Sequence, residues 1–253
     1  MSHRENTNWL CGLHSVTETV RAAPKRVREL WVLKGRGPEF EDLIKTARAA
    51  GASVRFVEAR DLERLSPRHQ DLAVRVVEAP PLELDDLLET LGADPAAKEG
   101  MVLVALDQIQ DPHNLGAIAR SAANLGAAGL LLPERRSAPV TPAAIAASAG
   151  AFQHIPVYHV VNLTQALVRL REAGFWIYGA DAAGLPAWES QLNLPLVLVI
   201  GSEGQGLRPL VAKTCDELVR VPQSSGGVES LNASCAASVL LYEIARRRGR
   251  SEG

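Results

Sequence analysis

The sequence predicts an α/β protein in which a mostly parallel sheet, covered by helices, follows a smaller α/β unit. Three observations carry this. From Gly100 onward, short continuous apolar runs alternate with segments of helical periodicity, the pattern of strands buried on both faces and of crossover helices. Residues 1–77 hold the same kinds of segment on a smaller scale. Between them, residues 78–99 are acidic and carry paired prolines, which block both helix and ladder. Residues 1–77 are therefore expected to form one domain, 78–99 a linker and 100–253 a second domain.

In the first unit, residues 12–22 are expected to be helical and 30–33 to form a strand. A helix over about 38–50 ends at Gly51, which suits a left-handed cap. The Val-rich runs 53–57 and 72–77 predict strands. Residues 84–91 predict a short acidic helix inside the linker. In the second unit, strands are expected over 101–106, 129–132, 155–161, 175–180, 196–200 and 217–221. Helices are expected over 116–125, 142–149, 163–173, 207–214 and 232–248.

Charge and composition exclude more than they select. No apolar run reaches the roughly 20 residues that span a bilayer. The opening residues lack a charged-then-apolar leader pattern, so a cytoplasmic chain is expected. Residues 1–75 carry 14 Lys+Arg against 10 Asp+Glu, residues 76–99 carry 1 against 7, and the whole chain has net charge −2. A basic front end suits phosphate, although a solvated surface explains it equally well. Cys11, Cys215 and Cys235 are too scattered for a disulfide framework or zinc site, so buried free thiols and no metal are expected. HExxH, GxSxG and paired-histidine spacings are all missing.

In parallel α/β sheets ligands bind beyond the carboxyl ends of the strands, and three post-strand loops stand out there. The first, Asp107-Gln-Ile-Gln-Asp-Pro-His-Asn114, breaks at Asp111-Pro112 and leads into a helix carrying Arg120. Asn114 can cap that helix, and Arg120 can hold a phosphate in a forked grip. A capped helix with a solvated arginine is the plainer alternative. The second loop, Gly201-Ser-Glu203-Gly-Gln-Gly206, allows tight turns and close backbone approach to a ligand. Glu203 argues against simple phosphate cradling. The third runs from Val221-Pro222 to Ser230-Leu231-Asn232 and enters a long Ala-rich helix that Ser230 or Asn232 could cap.

Together and in this order, the three loops resemble the motifs of the SpoU-type (TrmH-type) RNA ribose methyltransferases of the SPOUT superfamily. The resemblance covers roughly residues 100–248. The front end, Trp9-Leu-Cys-Gly-Leu-His-Ser-Val with the later His69-Gln, is similar to the RlmB subgroup of 23S rRNA guanosine methyltransferases, in which a small RNA-binding domain comes first. The resemblance implies a deep trefoil knot around the second and third motifs and a homodimer with its active site at the interface. It also implies S-adenosyl-L-methionine as cofactor. Gly201, Glu203, Val221, Pro222, Ser230 and Leu231 would bind it. Arg120, Asn114 and Asn232 fall on the family's catalytic positions. Two departures are visible: the third motif reads Val221-Pro-Gln with a loop one residue longer than usual, and the usual His-Gln-Gly reads His69-Gln-Asp71.

The implied reaction is methyl transfer to the ribose 2′-hydroxyl of a 23S rRNA guanosine, with ribosomal RNA as partner and no membrane. The same reaction on a tRNA guanosine or an rRNA adenosine, or a non-catalytic role in ribosome assembly, are the alternatives.

Overall fold

The computed structural model describes residues 7–77, 81–224 and 231–251. The chain divides into two compact units between Pro80 and Pro81. The first unit is a four-stranded sheet in the order β1 (Thr7–Cys11), β4 (Leu72–Val77), β2 (Val27–Leu33), β3 (Ser53–Val57). Only the β2–β3 pair is parallel. Helices α1 (Leu13–Ala22) and α2 (Glu41–Ala49) pack against each other, and their apolar residues Val16, Val20, Leu43, Ile44 and Ala47 are buried. Gly51 follows α2 at φ +87°, as the sequence predicts. The short helix α3 (Ala59–Glu63), which the sequence reading omits, supplies the buried Leu62.

The segments His69–Asp71 and Gly12–Leu13 meet in this unit. Gln70 Oε1 accepts the Leu13 amide at 3.0 Å, and the His69 carbonyl accepts the Gly12 amide at 3.2 Å. Gln70 and Asp71 sit at φ +46° and +67°. That region favours glycine and tolerates Asp, so Asp71 stands in for the usual glycine at a modest conformational cost.

The second unit is a seven-stranded sheet in the order β11 (Glu217–Arg220), β9 (Trp176–Pro186), β10 (Leu196–Gly201), β6 (Val102–Asp107), β7 (Gly129–Pro133), β8 (Val157–Val160), β5 (Leu82–Glu83). Every pair in it is parallel. Because successive side chains of a strand face opposite sides, β6 divides its residues between two cores. Val102, Val104 and Leu106 join α5 (Pro112–Asn124), α6 (Pro142–Ala147) and α9 (Ala233–Ser251). Leu103 and Ala105 join α4 (Leu84–Ala93), α7 (Leu163–Glu172) and α8 (Pro209–Thr214). Both faces are covered, which is why the central strands read as unbroken apolar runs.

Three expectations are corrected. Residues 81–99 are not a linker: β5 adds an edge strand beside β8, and Leu84, Leu87 and Leu91 of α4 are buried in the core. Their spacing puts one face of the helix on the sheet while Asp85 on the outer face pairs with Arg169. Strand β9 runs six residues past the predicted end at 180, because β11 pairs with its extension through Leu185 and Pro186 after a register shift. The thiols are not uniformly buried: Cys11 and Cys215 are partly covered, but Cys235 is exposed.

Candidate active site

The carboxyl ends of β6, β9 and β10 gather two of the three loops and the start of the helix after the third. Asp107, the last residue of β6, is fully buried and ties the first two loops together. Its Oδ2 accepts the Arg208 amide at 2.8 Å and its Oδ1 accepts Arg208 Nε at 2.7 Å. After Asp107 the chain turns, and helix α5 starts at Pro112. Asp111, not Asn114, is the cap: its Oδ1 accepts the His113 amide at 2.9 Å. A proline in the first helical turn has no amide to satisfy. Asn114 therefore lies within the first turn, and it is buried.

The second loop leaves β10 at Gly201 and closes on itself. Ser202 and Gly206 exchange both backbone hydrogen bonds, at 3.1 and 2.9 Å. A Cβ on Gly201 would lie 2.3 Å from the Gly206 carbonyl carbon, and Gly206 itself is at φ +63°. Both positions thus require glycine for a steric reason. The turn holds the exposed Glu203 outward over α5.

Asn232 completes the cluster from the far end of the chain. Its Oδ1 accepts the amides of Ser234 at 2.9 Å and Cys235 at 3.3 Å, which caps α9. Its Nδ2 donates to Asn114 Oδ1 at 3.0 Å and also to Glu203 Oε1. Asn114 Nδ2 donates to the same Glu203 oxygen at 3.3 Å. One carboxylate oxygen is thus gripped by two amides from residues 118 positions apart.

Two clefts meet at Glu203. The larger, about 430 Å³, is lined by Ile200, Gly201, Val221 and Leu231 among apolar and backbone groups, and by the charged residues Asp181, Glu203 and Arg220. The smaller, about 320 Å³, is lined by the first loop from Gln108 to Asp111, by Asn114 and again by Glu203. Of the residues predicted to bind a cofactor, Gly201, Glu203, Val221 and Leu231 line the larger cleft. Pro222 does not, and Ser230 lies outside the described residues. Arg120 is exposed, lines neither cleft and has no side-chain partner among the described residues. Six residues along α5 from Asn114, it points away from that residue's face of the helix.

Asp181 and the Asp107–Arg208 pair are site features that sequence reasoning missed. Asp181 follows a predicted strand end, which is the place to look. It stands just past Gly179, where β9 stops pairing with β10 and the larger cleft opens. Among the described residues no His, Cys, Asp and Glu cluster could hold a metal, and no helix is long and apolar enough to cross a membrane.

The model of the SpoU rRNA Methylase family matches residues 101–242, which takes in all three loops and more than half of the chain. The chain belongs to the SpoU rRNA methylase family. A second model, RNA 2′-O ribose methyltransferase substrate binding, matches residues 9–82. An uncharacterized tRNA/rRNA methyltransferase of Synechocystis is 40% identical over 97% of this chain, which spans 64% of that longer relative. The RlmB 23S rRNA (guanosine-2′-O-)-methyltransferase of Shewanella oneidensis is 37% identical over 94% of this chain and 96% of its own length. Among solved structures, the SpoU methyltransferase AviRb of Streptomyces viridochromogenes in complex with AdoMet is 27% identical, with a TM-score of 0.80 over 98% of this chain and 92% of that one. The family membership makes this chain an RNA methyltransferase.

Proposed function

We propose that this SpoU-family enzyme transfers a methyl group from S-adenosyl-L-methionine to the ribose 2′-hydroxyl of a guanosine in 23S ribosomal RNA. The observation that carries the reading is the convergence of Asn114, Glu203 and Asn232 at the junction of two clefts. One cleft suits the cofactor and the other an incoming nucleotide. The relatives named as 23S rRNA guanosine methyltransferases, at 37% and 39% identity over nearly the whole chain, support the target. Relatives named tRNA/rRNA methyltransferase, such as YacO of Bacillus subtilis at 36% identity, favour the same reaction on another RNA as the second reading.

The larger cleft fits the cofactor chemically. Ile200, Val221, Leu231 and Leu240 offer an apolar slot for a purine, and Gly201 and Gly206 let the backbone approach it. The carboxylates of Asp181 and Glu203 outnumber the one guanidinium, Arg220, among the described lining residues, so the cleft stays acidic and favours a cation. When bound, the cofactor supplies a methyl group already activated by a sulfonium, so the protein's task is mainly positioning, worth roughly 7–11 kcal/mol in well-oriented systems. Asn114 and Asn232 fix the Glu203 carboxylate. Arg120 holds a phosphate beside the target ribose and stabilises the oxygen as it loses its proton. A guanidinium stays protonated at neutral pH, so Arg120 acts through charge and geometry.

Two further inferences belong to this reading. The first is a deep trefoil knot in the second unit. It is supported by the return of α9 from β11 at the sheet edge to pack along α5 and by the family membership. The second is a homodimer that shares its active sites. It is supported by the outward position of Arg120, which lines neither cleft of its own chain, and by Val239 and Tyr242 of α9, whose side chains are exposed. The first unit binds the RNA substrate.

The test is labelled methyl transfer from S-adenosyl-L-methionine onto fractionated RNA, followed by mapping of the modified nucleotide. Methyl label on 23S rRNA guanosine ribose is the expected result, and label on transfer RNA selects the second reading. Calorimetry that detects no cofactor binding at millimolar concentration overturns both. Arg120→Lys separates geometry from charge: turnover is expected to fall at least about tenfold with an unchanged melting temperature, because lysine keeps the charge but loses the fork.

A further inference from the structure

A third cleft lies on the carboxyl edge of the sheet, beyond β7 and β8, and the function above leaves it unused. It encloses about 360 Å³. Arg135 and Arg136, just past β7, line one side. Arg208, which follows the second loop at the start of α8, also lines the cleft, as do Asn162 and Thr164 at the start of α7. No Asp or Glu is among its described lining residues, in a chain whose net charge is −2.

The three guanidinium groups differ in a way that matters. Arg135 and Arg136 are exposed and have no side-chain partner among the described residues. Arg208 is held: its Nε and its amide both bind the buried Asp107 carboxylate. Its two terminal nitrogens have no partner among the described residues. A guanidinium fixed through Nε with both ends free is pre-organised to grip an anion through two hydrogen bonds. Asn162 Oδ1 accepts the Gln165 amide and caps α7, so the positive end of a ten-residue helix also faces the cleft. The rim is apolar: Val161 is 79% exposed and Leu210 is 63% exposed. Cationic walls with an aliphatic rim suit a nucleotide unit, phosphate inward and sugar or base on the rim, better than they suit a free inorganic ion.

We propose that this cleft binds a backbone phosphate of the RNA strand whose target nucleotide enters the cleft beside Asn114. This assignment rests on the reading of the protein as an RNA methyltransferase. The connection between the two places is direct. Asp107 ends the strand that leads into the Gln108–Asp111 wall of the nucleotide cleft, and its carboxylate holds the arginine of the third cleft. The Asp107–Arg208 pair thus stands between them. A strand lying along the carboxyl edge of the sheet would touch both, and its register would be set at a distance from the reacting ribose.

The test measures binding of a short fluorescent oligouridylate to the full chain across a salt series. In Arg135→Gln/Arg136→Gln, affinity is expected to fall on the order of tenfold and the slope of log K against log salt to shrink by about 1. Thr164→Glu is the second variant. It puts a carboxylate in the first turn of α7, where the helix end favours it, but in the path of a phosphate. RNA affinity is expected to fall while the melting temperature holds or rises, so loss of folding cannot explain the result. S-adenosyl-L-methionine affinity is expected to be unchanged in both variants. If wild type binds the oligonucleotide and both variants match it in affinity and slope, the cleft assignment fails and the enzyme reading survives. If wild type neither binds nor methylates RNA, the reading beneath fails and takes the assignment with it. Inorganic phosphate is expected to compete no better than chloride at equal ionic strength; selective competition would mark a small-anion site and overturn the proposal.

Discussion

The two ends of helix α9 are held by different chemistry. At its start, Asn232 uses its carbonyl to cap the helix and its amide to reach Asn114 and Glu203. At its finish, Glu243 accepts Arg246 at 2.7 Å and Arg247 at 2.7 Å. Arg247 then donates to the carbonyls of Ala187 at 2.9 Å and Gln191 at 3.2 Å, in the segment between β9 and β10. The finish is a closed ionic clamp on the fold. The start is a set of amides on an exposed loop carboxylate, open to two clefts. A polar network that serves the fold uses its groups up; one that serves chemistry leaves capacity facing outward.

Asn232 is where that contrast breaks most sharply. Asn232→Ala removes cap and site contact together, so methyl transfer is expected to drop on the order of 100-fold, as a misplaced site group can cost. Stability should fall by about 1 kcal/mol, the usual value of a cap. Asn232→Asp separates the two functions. Aspartate caps as well as asparagine, but it faces Glu203 with a like charge and cannot donate. Turnover is expected to fall as far as in the alanine variant, with the melting temperature close to wild type. Steady-state kinetics beside thermal unfolding check both, and an aspartate variant with full turnover would remove the amide from the site.

The clamp at the other end predicts the reverse pattern. Glu243→Gln is expected to cost about 1–2 kcal/mol, at the lower end for charged hydrogen bonds because Arg246 faces solvent. The kcat should be unchanged. The hydrogen bond from Arg246, aided by Arg247, holds the Glu243 carboxyl well below its usual 4.5, at about 2. A depressed folded-state pKa gives stability that is complete above about 4.5 and is lost as pH falls toward 2. The stability difference between wild type and Glu243→Gln should therefore shrink across that window. A constant difference from neutral pH down to pH 2 would show that the charge on Glu243 is not what holds the helix end.

How much of this was legible in the sequence follows from the range of each interaction. The central strands β6 and β10 are buried on both faces, and such strands are continuous apolar runs. Both lie within one residue of the predicted limits. The two-residue strand β5 has no pattern to read, and the prolines and acids around it look like a linker. Leu84, Leu87 and Leu91 did carry a helical spacing, yet only the sheet beside them shows that their face is covered. Strand β1 was missed because its order comes from antiparallel pairing with β4, some 60 residues on, and not from its own composition. In the site, loop positions could be read from strand ends, but the joining of Asn114 to Asn232 could not. No local spacing encodes a contact of 118 residues; only the family resemblance brought those two together. The mistaken cap at Asn114 was a local error, since Asp111 before Pro112 is the stronger start signal.

The smallest effect expected from the comparison is chemical and concerns the thiols. Cys235 sits in the first turn of α9, one helical step past Asn232, and is exposed. Cys215, after α8, is a contrasting case. Burial first, and then the nearby carboxylates of Asp216 and Asp107, push its thiol up to about 12. The thiolate is the nucleophile, so at pH 8 Cys215 offers almost none, and its partial cover limits reagent access as well. Iodoacetamide at that pH is expected to label Cys235 first and to leave Cys215 intact until the chain unfolds, as peptide mass mapping can read. Because Cys235 flanks the outward-facing network, its alkylation should slow methyl transfer by a small factor without moving the melting temperature. Cys235→Ser should abolish that sensitivity. Equal labelling of the two thiols in the folded chain would mean that the cover over α8 opens on the timescale of the reaction, and the contrast between a rigid scaffold and an open site would weaken with it.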